Sequence, residues 1–362
     1  MLLLAVTGTI ILLILASSSW ALSSDCTPQF PYLQGWLGGD EAYSISLNAG
    51  RVLWLFGDSF VGSEAQTSRA GATMIANTVA VSTCTAGKWN IRYHYRRERT
   101  SGSPQAFFDS GTDKYRLWPL DGFVDRGSLY VFLIQVATTG NGPFSFKEIG
   151  AKLVKVSNPA SDPTVWSIQY CDLLLGIGVA PGVSAIVAAP YVYFYVVLDR
   201  GGSSHQLILA RIPLDHLDSP STRLEYFSRT EHWKSGLNQE DARIIVDDAA
   251  PEFSVRYHRD IEQWIMVQAD PNFPSKRIGV RTARHLEGPW SSFSPRYDIP
   301  EMLVTTATPE PSIFCYAAKE HVELTSPSNF VNITYVCNSL SFEKQMRDLT
   351  IYRPRAVSMR VR

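Results

Sequence analysis

The chain has 362 residues, with 33 Lys and Arg against 34 Asp and Glu, 45 % hydrophobic and 12 % aromatic residues. Balanced charge without a basic run gives nothing for a nucleic acid or an anionic membrane surface to hold. The five cysteines show no CxxC or CxxH spacing, which argues against a zinc site, and no metal or cofactor is expected.

In chain order, the apolar run Leu2 to Leu15 comes first, followed by Ser17-Ser18-Ser19-Trp20-Ala21. The run is shorter than the roughly 20 apolar residues a membrane span needs, and small residues follow it where a signal peptidase would cut. Residues 1–23 therefore read as a signal peptide, which implies a secreted, extracellular protein with no membrane attachment after cleavage. The remainder, 24–362, reads as one domain, because no linker or low-complexity tract interrupts it.

Next comes a hairpin. Ala42–Leu47 and Arg51–Phe56 flank Asn48-Ala49-Gly50, a three-residue loop with Gly in its last, left-handed position. Closed that way, Ile45 pairs with Leu53 and Tyr43 with Leu55, and the same register carried outward sets Asp40 opposite Asp58. Singly, each aspartate would pass as a turn residue bonding nearby amides. As an opposed pair they are destabilising like charges, and catalysis or cation binding is the usual return. Paired carboxylates about 5 Å apart suit a retaining glycosidase, and a wider gap suits an inverting one. Asp58, on the more apolar strand, is expected to be the acid.

Within that hairpin Gly57-Asp58-Ser59 invites comparison with esterases that carry Gly-Asp-Ser-Leu. Those need Asp three residues before a C-terminal His, and none of the seven histidines here has one.

Beyond it, short alternating or β-branched runs recur with turn residues between them and almost no helical periodicity: Ser128–Gln135, Ala151–Val156, Tyr191–Leu198, Gln206–Ile212, Trp264–Val267, Ile278–Thr282 and Val331–Val336. They fall into units of roughly 60 residues, a repeat period that predicts an all-β, five-bladed β-propeller with blades near 36–104, 105–172, 173–248, 249–306 and 307–362. No blade strand aligns securely over Val179–Pro190. Pro251-Glu252-Phe253-Ser254 and Pro309-Glu310-Pro311-Ser312 echo each other as blade openings. Residues 349–355 are expected to close the ring by adding a strand to the first blade. Asp40, Asp121, Glu252 and Glu310 all fall near blade openings, which would gather acids at one mouth of the channel. Trp118, Tyr316 and His321 are candidates to stack on or hydrogen-bond a sugar, although such residues are more often core. His258-Arg259-Asp260 reads as a hairpin turn. Cys26 and Cys84 flank the first hairpin, Cys315 and Cys337 lie on neighbouring strands, and each pair could bridge. Asn332-Ile333-Thr334 is a glycosylation sequon.

Gly38-Gly39-Asp40-x-x-Tyr43-Ser44 followed by Gly50-Arg51-x-x-Trp54-Leu55-Phe56-Gly57-Asp58-Ser59-Phe60 resembles the opening of glycoside hydrolase family 183. This is a family of secreted five-bladed β-propellers, formerly a domain of unknown function, that includes endo-D-arabinanases. The likeness continues through Trp118-Pro119-x-x-Gly122-Phe123, Pro251-Glu252-Phe253-Ser254-Val255, Gly288-Pro289-Trp290, Cys315-Tyr316-Ala317-Ala318-Lys319-x-His321, Tyr335-Val336-Cys337-Asn338-Ser339 and Tyr352-x-Pro354-Arg355. It departs at Val322-Glu323-Leu324, where Pro commonly follows the His. The resemblance implies that Asp40 and Asp58 are the catalytic pair, and that a furanosidic polysaccharide such as D-arabinan is the substrate. Glu252, Glu310, Trp118, Asp121, Tyr316 and His321 are then the expected substrate-binding residues, and the enzyme is expected to be a monomer. The rival from another class is a non-catalytic glycan-binding propeller, with or without calcium.

Overall fold

Strands buried on both faces read as continuous apolar runs, and Tyr191–Leu198 and Ser128–Thr138 are of this kind: their central residues are buried whichever way they point. Such strands need a neighbouring sheet on each side, and a ring of sheets provides it. The computed structural model describes residues 26–140, 145–173, 176, 178–199, 205–303, 312–324 and 329–361. It is a five-bladed β-propeller.

Blade 1 is built on Trp36–Ser46, Arg51–Val61, Thr78–Thr85 and Lys88–His94, and blade 2 on Arg116–Asp125, Ser128–Thr138, Phe146–Val156 and Ile168–Leu173. Val179–Ala188, Tyr191–Leu198 and His205–Pro213 form the inner part of blade 3. Blade 4 runs through Phe253–His258, Gln263–Ala269, Arg277–Ala283 and Ser294–Asp298. Blade 5 has three strands, Ile313–Glu320, Phe330–Ser339 and Arg355–Arg360. The first strands of the blades touch one another in cyclic order, blade 5 against blade 1 included, and line the channel. Val179–Pro190, unplaced from sequence, thus supplies the inner strand of blade 3. His258-Arg259-Asp260 sits at the turn between the first two strands of blade 4. Both bridges form, Cys26–Cys84 and Cys315–Cys337, with Cys171 left as a free thiol. Residues 1–23 and Glu310 lie outside the described residues.

The closing strand differs from expectation. Arg355–Arg360 pairs with Phe330–Ser339 inside blade 5 and adds nothing to blade 1. Blade 1 already carries four successive strands of its own, whereas the second strand of blade 5 has an open edge to fill. Side chains close the ring instead. Leu37 and Phe60 of blade 1 pack with Tyr352, which precedes the last strand. Fully buried Arg69 donates to the carbonyls of Leu37, Gln345, Asp348, Ile351 and Tyr352 and to the Tyr32 hydroxyl. Gly38 allows this approach: its φ is +122°, and a Cβ there would lie 2.2 Å from the Tyr352 carbonyl oxygen.

Candidate active site

The hairpin of blade 1 carries the site. Its loop half follows the pleat, with Tyr43 opposite Leu55, Ile45 opposite Leu53, and Gly50 at a φ of 70°. Between Tyr43 and Gly39 the register shifts twice, Glu41 pairing with Phe56 and Gly39 with Ser59, and a third shift follows before Trp36. An extra residue in the first strand is thus compensated by one in the second, as in two offset β-bulges. Glu41 and Ala42 both take left-handed backbone, at φ 67° and 59°. This is an uncommon conformation for residues that carry a Cβ. The Lys319 ammonium holds the bulge from blade 5 by donating to the Glu41 carbonyl at 2.8 Å.

The two shifts cancel, so the Gly39–Ser59 pair returns to the register expected for Asp40 and Asp58. Asp40 accepts a 2.8 Å hydrogen bond from the Tyr316 hydroxyl of blade 5. Asp58 accepts one of 3.0 Å from the Trp118 indole of blade 2 and lies 3.6 Å from the Arg116 guanidinium. The pair remains in electrostatic contact. Glu41 lies beside Asp40. A Cβ on Gly57 would sit 2.7 Å from Asp40 Oδ1 and 2.8 Å from Glu41 Oε1, so both carboxyls occupy the space that this glycine leaves.

Burial, then the charges of Asp58 and Glu252, push the Asp40 carboxyl up to about 8. Its Oδ1 is enclosed without a partner, so the ionised form lacks solvation. Burial also raises Asp58, but Arg116 and the Trp118 hydrogen bond hold it to about 6. Asp40 is thus raised further than Asp58, although the expectation from strand polarity gave Asp58 as the acid. An apolar strand does not make an apolar carboxylate when a guanidinium and an indole N–H point at it. Glu41 lies well above the usual carboxylate range, through burial and then the charges of Glu252 and Asp40, which makes it a neutral acid.

Of the other expected residues, Glu252 joins this cluster. It accepts a 2.6 Å bond from Lys319, whose side chain is 1 % exposed and lies 4.2 Å from the Tyr43 ring centroid. Asp121 and His321 do not belong to it. Both are enclosed, each 1 % exposed, and bonded within the protein. Asp121 accepts bonds from the Ala185 and Gly122 amides and from Arg256, tying blades 2, 3 and 4 together. His321 is bonded to Ser44 at Nδ1 and to Thr334 at Nε2, both at 2.7 Å, and burial holds it neutral, well below its ordinary titration. Sequence reasoning missed Glu41, Lys319 and Arg116. A lysine set among apolar residues in Cys315-Tyr316-Ala317-Ala318-Lys319 was the available sign of a buried cation in need of acids.

A family model described as "Domain of unknown function (DUF5005)" matches residues 28–360. No match is found among curated proteins. Among solved structures, a Bacteroides ovatus protein provisionally named a hydrolase aligns with a TM-score of 0.70 at 17 % identity, covering 90 % of this chain and 86 % of that one. A xylan β-1,4-xylosidase from Bacillus halodurans aligns at TM-score 0.51 and 11 % identity, over 92 % of this chain and 54 % of its own. A GH43 β-xylosidase/α-arabinofuranosidase from a compost microbial metagenome gives 0.51 and 12 %, over 91 % and 93 %. At such identities the likeness is one of fold.

Proposed function

We propose that this chain, which belongs to the DUF5005 family, is a secreted glycoside hydrolase that cleaves a furanosidic polysaccharide, D-arabinan or a relative, with Asp40 and Asp58. The observation that carries the reading is a pair of carboxyls at one hairpin mouth in unlike surroundings, Asp40 held by the Tyr316 hydroxyl and Asp58 by the Trp118 indole and Arg116, with burial raising Asp40 further than Asp58. The glycosidase activities named for propellers of similar fold agree with it. Asp40 donates its proton to the departing glycosidic oxygen. Asp58 attacks the anomeric carbon or takes a proton from the attacking water, according to the gap the substrate leaves between them. Tyr316 and Trp118 orient the two carboxyls, and Glu252 and Lys319 fix the charge behind Asp40.

The test is incubation with a panel of purified polysaccharides, D-arabinan among them, with new reducing ends counted and products sized. Retention of a glycan without new reducing ends would overturn the reaction and leave a lectin-like propeller.

The pH profile is a separate expectation. Activity needs Asp58 ionised and Asp40 protonated, so kcat/KM should rise as pH passes about 6 and fall as it passes about 8. The limbs belong to the coupled pair. A rate that keeps rising through pH 9 would exclude Asp40 as the acid.

Gly57→Ala tests the packing behind the pair. The added methyl must displace Asp40 or Glu41. A shift on the order of 1 Å in a reacting group costs about a hundredfold in rate. Activity is expected to fall by about that factor while the far-ultraviolet circular dichroism of the fold is kept. Unchanged kinetics would show that the carboxyl geometry is not critical.

A further inference from the structure

Glu41 is 6 % exposed and sits beside Asp40, yet a two-carboxyl reaction makes no use of it. Asp40 Oδ1 and Glu41 Oε1 lie 2.7 and 2.8 Å from the one point that a Cβ on Gly57 would occupy. Asp40 Oδ1 and Glu41 Oε2 are both enclosed, without a hydrogen-bond partner among the described residues. Asp40 Oδ2, by contrast, receives the Tyr316 hydroxyl. Oδ1 therefore faces inward, and Oδ2 is the oxygen left to meet substrate. The other donors nearby are committed. Lys319 gives its three protons to the carbonyls of Glu41 and Ala317 and to Glu252, at 2.8, 3.2 and 2.6 Å. The Tyr352 hydroxyl goes to the Asp58 carbonyl and the Trp118 indole to the Asp58 carboxyl, with Arg116 against the same group. Tyr43 keeps an unpartnered hydroxyl, but the charges around it are those of Glu252, Glu41, Asp121 and Arg256, which puts it behind Glu41 rather than on Asp40. The Glu41 carboxyl is the group placed to serve Oδ1.

We infer that Glu41 is a positioning acid for Asp40: its O–H turns to Asp40 Oδ1 as Asp40 gives up its proton, and holds the carboxylate that forms. The inference rests on the glycosidase reading above, with Asp40 as the acid. In that step the Asp40 Oδ2–H bond breaks, its proton goes to the glycosidic oxygen, and the electrons of the broken C–O bond stay with that oxygen. Asp40 becomes a carboxylate, while Glu41 keeps its own proton and shares it as a hydrogen bond. A buried charge without donors is costly, and a carboxylic acid kept neutral by its surroundings supplies a donor that does not depend on solvent. Burial, then the charges of Glu252 and Asp40, keep the Glu41 proton in place. The bond strengthens only as charge develops on Asp40, so it lowers the barrier more than it aids binding.

The experiment follows the carboxyl C=O bands of the free protein by infrared difference spectroscopy as pH is raised, in the wild type, Glu41→Gln and Glu41→Met. Loss of a band in Asp40→Asn or Glu41→Gln assigns it. Asp40 is faced by Asp58 on its own hairpin, by Glu252 from blade 4, by Tyr316 from blade 5 and by Tyr352, with Lys319 behind Glu41. All of these are kept in both Glu41 variants, so a moved midpoint reports on Glu41. The Asp40 midpoint, about 8 in the wild type, should rise by about one unit or more in Glu41→Met, which has no donor, the scale of a hydrogen bond to a charged group. In Glu41→Gln, whose amide N–H replaces the O–H, it should stay within about half a unit. In the wild type the Glu41 band should move to lower frequency as Asp40 ionises. On a polymer that the wild type cleaves, Glu41→Met should lower kcat about tenfold or more with little change in KM, and Glu41→Gln should recover most of that loss. The loss should shrink on an aryl glycoside of the same sugar, whose leaving group needs no proton. A midpoint that falls in both variants would show Glu41 ionised and overturn the inference. An unmoved midpoint in Glu41→Met, or a Glu41 band indifferent to Asp40, would overturn it too. Should Glu41→Met not fold, the wild-type band decides. If the wild type cleaves no polymer, the reaction fails, and the infrared result still decides whether Glu41 serves Asp40.

Discussion

Asp40→Asn and Asp58→Asn are each expected to reduce hydrolysis by a factor on the order of a thousand or more, the loss that follows removal of a principal acid or nucleophile. Neither should damage the fold. Asparagine is nearly isosteric and carries no charge that burial would penalise. Stability should rise, with a pH dependence whose sign is fixed. Folded Asp40 holds its proton to about 8, against an ordinary value of 3.8, so between these limits the folded chain binds a proton that the unfolded chain has released. Stability at this group therefore falls as pH rises through that window. Asn does not titrate, so the gain in melting temperature for Asp40→Asn should be larger at pH 8 than at pH 5. For Asp58→Asn the corresponding window closes at about 6. Kinetics and thermal melts at both pH values check the two halves separately. Glu252→Gln is the contrasting variant. It weakens the Lys319 bridge behind Asp40 and should cost on the order of tenfold to a hundredfold, as for loss of a supporting contact. If Glu252→Gln abolishes activity while Asp58→Asn keeps most of it, the acid is on blade 4 and the assignment is wrong.

How much of this site the chain announces depends on the range of the forces that set it. The hairpin turn is local: Asn48-Ala49-Gly50 dictates it, and the pairing of Tyr43 with Leu55 follows. Blade limits were legible because apolar runs and turn residues alternate at a steady period. The bulges were not. Nothing in Asp40-Glu41-Ala42 demands two left-handed residues, and the conformation is held by Lys319, nearly 280 residues away in sequence. For the same reason the protonation order could not be read from the strand. Arg116 reaches Asp58 from blade 2 and offsets part of the rise that burial causes, so Asp58 is raised less than Asp40. Asp121 was expected near a blade opening and His321 as a sugar contact, but polar residues on or beside inner strands also tie blade to blade, and both side chains are 1 % exposed and bonded within the protein.

Arg69→Met is expected to be the most destabilising single change in the molecule. Arg69 is fully buried, forms no ion pair among the described residues, and instead feeds five backbone carbonyls and the Tyr32 hydroxyl where blade 1 meets the C-terminal segment. Burial lowers its pKa from the usual arginine value, a cost that these bonds and the flanking rings of Tyr32, Phe60 and Tyr352 must offset. Methionine fills much of the volume but leaves buried carbonyls unpaired, each worth about 1–3 kcal/mol. Relaxation and water entry will reduce the sum, and a net loss of about 4 kcal/mol or more is expected, a large share of the about 5–15 kcal/mol margin of a folded domain. Lysine keeps the charge but has three donors and no planar fork, so Arg69→Lys should recover only part of the loss. The effect should reach the site as well. Tyr352 accepts from Arg69 through its carbonyl and donates its hydroxyl to the Asp58 carbonyl at 2.9 Å, so a loosened seam releases the strand that carries Asp58. Tyr352→Phe removes the second contact alone. It should lower kcat by about tenfold with little change in melting temperature, whereas Arg69→Met should lower the melting temperature by on the order of 10 °C. Amide exchange near residues 345–352 should quicken before the rest of the ring opens. A melting temperature for Arg69→Met within about 2 °C of the wild type would mean that the ring is closed by its apolar contacts, with Leu37, Phe60 and Tyr352 sufficient and the guanidinium incidental.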